Sequence, residues 1–157
     1  MIAVRRATPG DVERLIELWM QMWEFHRKLD ARFEPSPMAA LTMRHWLEGH
    51  LESPSSAVFS AADESGTVVG YILASILENL PIVQNPAFGF ISEIAVDEKY
   101  RRRGVGGRLV RAAHEWIRSK GISSVEVNLA AANAASRAFW KKMGYRDFVE
   151  RLQLPLP

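Results

Sequence analysis

Apolar side chains at Val12, Leu15, Ile16, Trp19, Met22 and Trp23 recur at the spacing of one buried helix face. Thr8-Pro9-Gly10-Asp11 just before them reads as a helix start: an N-cap hydroxyl, a proline in the first turn and an acid at the positive end of the dipole. The pattern fades between His26 and Asp30. Glu34-Pro35-Ser36-Pro37 breaks the chain, and residues 38–50 predict a second helix. Residues 2–6, 57–62 and 67–77 read as strands, the last two joined around Asp63-Glu64-Ser65-Gly66. The run 67–77 is apolar almost throughout, as in a strand covered on both faces. Residues 88–96 form another apolar run, interrupted only by Ser92 and Glu93. Residues 104–120 predict the clearest helix, with Val105, Leu109, Ala113, Trp116 and Ile117 on one face and Arg108, Arg111, Glu115 and Arg118 on the other. Gly121 stops it. A strand over 124–129, a short helix over 134–143 closed by Gly144, and a last strand over 145–154 complete the order βαα-βββ-α-β-α-β. The expectation is a single α/β (α+β) domain over residues 1–157 with a mixed sheet.

Composition narrows the chemistry. The 157 residues contain no cysteine, which removes thiol catalysis, disulfides and Cys-ligated zinc and fits a reducing compartment. The four histidines, His26, His45, His50 and His114, share no metal-ligand spacing, so no metal is expected. Met1–Arg6 does not read as a signal peptide, and no run approaches the ~18–20 apolar residues that span a bilayer. A cytoplasmic protein is the default expectation. The net charge of +2 conceals an uneven distribution: residues 1–98 hold 7 basic and 14 acidic side chains, whereas residues 99–120 hold 8 and 1. A single basic stretch in a nearly neutral chain invites an anion.

That stretch leads from a strand into a helix through Arg101-Arg102-Arg103-Gly104-Val105-Gly106-Gly107. Glycines at a helix start let backbone N–H groups approach an anion, the helix dipole adds partial positive charge, and arginines add full charges. This is chemistry for a phosphate or pyrophosphate. The chain has no P-loop, and the third glycine of a dinucleotide fingerprint is replaced by Leu109. Arg101-x-x-Gly104-x-Gly106, followed by Asn133-x-x-Ser136-x-x-x-Trp140-x-x-x-Gly144-Tyr145, resembles the two signatures of the GNAT N-acetyltransferase superfamily. The resemblance implies a central sheet of about six to seven strands flanked by about four helices, splayed between the fourth and fifth strands. It implies acetyl-CoA as co-substrate, with the N–H groups of Arg102, Arg103, Gly104, Val105, Gly106 and Gly107 on the pyrophosphate. Ile94, Ala95 and Val96 would bond the pantetheine arm, and Asn133, Ser136 and Trp140 would line its other side. The implied reaction is direct acetyl transfer to a primary amine of a small molecule or peptide, without nucleic acid or membrane as partner; a homodimer is allowed.

An alkylammonium near pKa ~10.4 must lose a proton before it attacks, which calls for a base. Glu93 is the candidate, because it interrupts an apolar strand beside the expected thioester. The resemblance also implies a tyrosine that protonates the departing thiolate; Trp140 occupies its position, so the acid is unassigned. Trp19, Trp23 and Trp46 suit either an acceptor pocket or ordinary core packing, and Glu24, Asp30 and Glu34 suit either a cationic acceptor or solvent. Two alternatives remain open: an acyl-CoA-binding sensor of the same fold without catalysis, and a nucleic-acid-binding domain using residues 99–120.

Overall fold

The computed structural model describes residues 1–156. Strand β1 (Ala3–Arg6) leads through a short 3-10 turn at Pro9–Asp11 into helix α1 (Val12–Leu29). Asp11 closes this entry by accepting Thr8 N–H at 2.8 Å and both Arg5 guanidinium nitrogens at 2.7 and 2.8 Å. Helix α2 (Ala39–Glu52) follows, then strands β2 (Ser56–Ala62), β3 (Val68–Glu78) and β4 (Ala87–Val96), helix α3 (Val105–Ser119), strand β5 (Val125–Val127) and helix α4 (Ala134–Lys142).

The sheet order is β1-β2-β3-β4-β5; the first four strands are antiparallel neighbours and β5 lies parallel to β4. Strand β3 is buried along its first eight residues, as its continuous apolar run requires. One face of the sheet packs Tyr71, Leu73 and Ala95 against Val12, Leu15, Leu18 and Trp19 of α1 and Met43 and Leu47 of α2. The other packs Ile72, Ala74 and Ile91 against Val105, Leu109, Val110, Ala113 and Ile117 of α3 and Trp140 of α4.

Two places differ from the expected sheet. Residues 145–154 form no strand, so the sheet has five strands among the described residues rather than six or seven. Phe148 and Val149 are adjacent and Glu150-Arg151 follow, so no two-residue alternation gives this segment a core face. Polar contacts hold it instead: Asp147 binds Arg137 and Lys141 of α4 at 3.1 and 2.8 Å, and Gln153 accepts from the distant Arg32 at 2.9 Å. Strand β5 is also shorter than the expected 124–129, and it pairs with β4 only at Gly89↔Val125, Phe90↔Glu126 and Ile91↔Val127. Beyond Ile91 the fourth and fifth strands part, where the splay was expected.

Helix α3 crosses this sheet closely because β4 carries a glycine beneath it. A Cβ on Gly89 would lie 2.7 Å from Ile117 Cδ1 and 2.8 Å from its Cγ2, and Ile117 is fully buried. Gly89→Ala should therefore destabilise the fold by about 1–3 kcal/mol through overpacking. Ile117→Val in the same chain should recover part of the loss, read as denaturant midpoints at unchanged m.

Candidate functional site

Past Ile91, β4 contains one extra residue. Leu73 pairs with Glu93 and Ala74 with Ile91, so Ser92 is a bulge without a partner on β3. Its hydroxyl is buried and makes no hydrogen bond. From Ser92 to Val96 the outer edge of β4 has no strand beside it among the described residues. The predicted contact residues Ile94, Ala95 and Val96 thus offer backbone groups along a free edge.

The bulge also sets where Glu93 points. Glu93 lies opposite Leu73 and beside Tyr71 on the face covered by α1, where burial pushes its carboxyl up to about 7. The indole N–H of Trp19 points toward it and favours its anion without reaching hydrogen-bond geometry. Tyr71 is fully buried with an unpartnered hydroxyl, which burial and the Glu93 charge both keep protonated. A desolvated carboxyl poised near neutrality can take a proton at physiological pH.

The predicted anion cradle begins five residues beyond Val96. Arg102 has φ 63° and Gly104 has φ 80°, two left-handed residues separated by one, a conformation that turns successive N–H groups into a concavity. A left-handed arginine is strained. Arg108 N–H is bonded back to Gly104 O at 3.2 Å, while the N–H groups of Val105, Gly106 and Gly107, in the first turn, have no helical acceptor. Arg101, Arg102 and Arg103 are exposed and make no ion pair among the described residues. Arg101 donates to Val96 O at 3.1 Å, and Arg103 lies 5.4 Å over the Tyr100 ring. The cradle can therefore hold a phosphate or pyrophosphate group by backbone donors, with free guanidinium charge beside it.

Asn133 and Ser136 lie together at the start of α4: Asn133 Oδ1 accepts Ser136 N–H at 2.9 Å and caps the helix. Trp140 does not join the site. It is 2% exposed in the core beneath α3, its ring centroid 4.8 Å from Tyr145. The aromatic beside the glycines is Phe139, whose ring lies 3.3 Å from where a Cβ on Gly106 would stand. On a nine-residue helix, one position of rotation carries residue 140 into the core and residue 139 toward the loop. Tyr145 offers no acid either, since burial raises its pKa and its hydroxyl meets His114 at 2.7 Å.

Sequence reasoning missed His26. Its Nδ1 lies 3.0 Å from Met22 O, a carbonyl that only accepts, so Nδ1 carries the proton and Nε2 presents a lone pair. That lone pair faces Asn133 Nδ2 at 3.3 Å, linking α1 to the start of α4. Trp19, Trp23 and His26 share one helix face, and that spacing is the only sequence signal for the contact. Trp46 instead stands edge-on to His50 at 4.6 Å on α2. The three acids near the end of α1 are all ion-paired: Glu24 with Arg27 at 2.9 Å, Asp30 with Arg32 at 2.5 Å, and Glu34 with Arg27 at 3.7 Å. They do not form an open negative patch for a cation. Among the described residues, no three His, Asp or Glu side chains could hold a metal, and no helix is long and apolar enough to cross a membrane. Two open grooves of about 530 and 780 Å³, one beside Arg108 and Trp116 and one beside His114 and Tyr145, include neither Glu93 nor Arg101–Arg103.

A sequence profile of the Acetyltransferase (GNAT) family matches residues 12–145. An N-alpha-acetyltransferase of Sulfurisphaera tokodaii is 30% identical over 105 residues, 62% of this chain and 61% of that protein. The chain spans about three fifths of the length of two of the curated relatives it matches. The F44R mutant of the BH1408 protein from Bacillus halodurans superposes with a TM-score of 0.90 at 24% identity, covering 99% of both chains. Aminoglycoside N-acetyltransferase AAC(6')-Iy, solved in complex with CoA, gives 0.77 at 22% identity, covering 100% of this chain and 95% of that one.

The raised Glu93 carboxyl has a thermodynamic consequence. A carboxyl near 7 in the folded protein and near 4.5 when unfolded binds its proton more tightly in the folded state. Its contribution to stability is full below about pH 4.5 and is lost as pH rises through about 7. The shift corresponds to about 3 kcal/mol. Glu93→Gln should thus gain up to that amount on the native chain between pH 4.5 and 8 in denaturation curves; a pH-independent difference would refute the assignment.

Proposed function

Because the chain belongs to the acetyltransferase (GNAT) family, we propose that it is an N-acetyltransferase that moves the acetyl group of acetyl-CoA onto a primary amine by direct attack. The observation that carries this reading is the bulge at Ser92, which aims a carboxyl near 7 at the α1 side of the same strand that ends at an anion cradle. The left-handed Arg102 and Gly104 fit a pyrophosphate. Arg101, Arg102 and Arg103 would neutralise it, and the N–H groups through Gly107 would bond it. The free edge of Ile94, Ala95 and Val96 would hold the pantetheine arm, with Asn133 and Ser136 on its far side. Bound there, acetyl-CoA supplies the activated acyl group.

The chain's own contribution is to orient and deprotonate. The ionised Glu93 accepts a proton from the acceptor ammonium, and the neutral amine then attacks the thioester carbonyl. The C–N bond would form as the C–S bond breaks, and the proton then in excess on the nitrogen would pass to the departing thiolate or to solvent, leaving the amide and CoA thiol. The departing thiolate has an intrinsic pKa near ~8.5 and is a tolerable leaving group without a dedicated acid. That matters here, because Trp140 is in the core and Tyr145 is held protonated.

Release of CoA thiol from acetyl-CoA and an amine tests this reading. For the native chain kcat/KM should rise with pH through about 7 as Glu93 ionises. Glu93→Gln should remove that limb and lower the rate about 10²–10⁴-fold without changing the affinity for CoA in calorimetry. Gly104→Ala should weaken CoA binding, because alanine resists φ 80°. The buried Trp140 favours one other reading, an acyl-CoA sensor without turnover. Tight CoA binding with no thiol release from any amine would establish the sensor, and absence of CoA binding would overturn both.

A further inference from the structure

Arg102 is the one non-glycine residue with a left-handed backbone among the described residues, at φ 63°. Such a residue persists only where its surroundings hold it, because an unrestrained arginine returns to negative φ. On the helix side the hold is Gly104, itself left-handed at φ 80°, whose carbonyl accepts Arg108 N–H at 3.2 Å. On the strand side it is the short 3-10 turn Glu98–Tyr100. That turn is closed by Tyr100 N–H on Asp97 O at 2.9 Å and Lys99 N–H on Asp97 Oδ1 at 3.0 Å. These bonds are local. They bend the chain without fixing residues 100–104 to the rest of the molecule.

One side chain makes that connection. Tyr100 Oη donates to Asp63 Oδ2 at 2.7 Å, across 37 positions of sequence. Among the described residues, no other side chain of residues 98–104 hydrogen-bonds to a residue more than five positions away. Asp63 is a firm anchor. It opens the turn between β2 and β3, where its Oδ1 accepts Ser65 N–H at 3.0 Å, Thr67 N–H at 3.1 Å and the Ser65 hydroxyl at 2.6 Å. The Ser65 and Tyr100 hydroxyls hold its carboxyl down to about 2, so the tyrosine donates to a full negative charge. The Tyr100 ring packs against the α3 side of the core, and the Arg103 guanidinium lies 5.4 Å over it. Tyr100 thus joins the β2–β3 turn, the core beneath α3 and one of the three cradle arginines, two residues before the strained position.

We propose, resting on the acetyltransferase reading, that Tyr100 is a positioning residue for the co-substrate. Its hydroxyl, latched to Asp63, holds the turn at Arg102 in the shape that receives the pyrophosphate, and its ring seats Arg103 beside that turn. A loop that is competent only part of the time binds with an apparent Kd equal to the intrinsic value divided by the competent fraction. With the latch, Arg102 stands at φ 63° before any ligand arrives. Without it, the competent fraction falls toward the few per cent at which non-glycine residues take positive φ.

Calorimetric titration of the full chain with CoA, beside denaturation curves of the same proteins, tests the proposal. Tyr100→Phe keeps the ring and loses the donor, and it should raise Kd about tenfold, as loss of one hydrogen bond to a charged group does. Tyr100→Leu also removes the seat of Arg103 and should raise it further. The denaturant midpoint of Tyr100→Phe should stay close to the native one, because the released turn is exposed and relaxes without opening the core. Glycine takes positive φ about as readily as negative, so in the Arg102→Gly background adding Tyr100→Phe should raise Kd by less than about threefold. The proposal is overturned, with the acetyltransferase reading intact, if Tyr100→Phe binds CoA as the native chain does, whether or not its midpoint moves. It is equally overturned if Tyr100→Phe costs as much in the Arg102→Gly background as in the native one. If the native chain binds no CoA, that reading fails together with the proposal.

Discussion

Strand β4 is paired on both edges as far as Ile91 and on one edge afterwards, and the site depends on that change. Three ladder pairs hold β5 in place; the bulge at Ser92 then re-aims everything beyond it. Without the extra residue, the two-residue period would send Glu93 to the α3 face, into aliphatic side chains. With it, Glu93 emerges on the α1 face, close enough to Tyr71 and Trp19 to be desolvated. In an open α/β sheet, ligands bind beyond the carboxyl ends of the strands where neighbouring strands diverge. Here the divergence, the raised carboxyl of Glu93 and the left-handed turn of Arg102 and Gly104 fall within residues 92–107.

Asp97 ties the two halves of that stretch together. It is 7% exposed and accepts the Arg14 guanidinium at 2.6 Å and Lys99 N–H at 3.0 Å. Burial alone would raise its carboxyl, but the Lys99 N–H and Arg14 outweigh that and lower it. Arg14 also donates to Val68 O at 2.9 Å. One carboxylate therefore shapes the turn that leads into the cradle and pins the first turns of α1 against β3 and β4. Because Trp19, Trp23 and His26 lie further along the same rigid helix, their distance from Glu93 follows from that anchor. Electrostatics divides the site accordingly: full positive charge is exposed at the cradle, while the α1 side is neutralised by internal ion pairs.

What the sequence discloses and what it hides separate along physical lines. The period of Val105, Leu109, Ala113 and Ile117 is local, so the helix, its glycine-rich start and its buried face could all be read directly. Glu93 was visible because one acid in an apolar strand is costly unless it serves a purpose. The bulge was not visible: Ser92 is an unremarkable residue, and only pairing with β3 shows that it is extra. The contact of His26 with Asn133 joins residues 107 apart and has no local signal. The strand expected over 145–154 failed because β-propensity counts residue types, whereas a strand needs an edge to pair with and a face to bury. The acids Glu24, Asp30 and Glu34 looked available in a linear count of charge; folding sets Arg27 between Glu24 and Glu34 and Arg32 against Asp30.

The glycines of the cradle illustrate why a motif is not a list of equivalent positions. Gly104 stands in open space at φ 80°, so its requirement is conformational. Gly106 has no unusual φ, yet a Cβ there would press on Phe139 at 3.3 Å. Phe139 is in that place because Trp140, one position on, fills the core beneath α3. The large residue where the resemblance implies a tyrosine thus acts through its neighbour on the glycine-rich loop. A substitution at Gly106 disturbs the packing of α3 on α4 and the approach to the cradle together, whereas one at Gly104 changes the backbone alone. The two halves of the resemblance, the glycine loop and the segment around residues 133–145, are coupled by this contact, and a change in one is felt in the other.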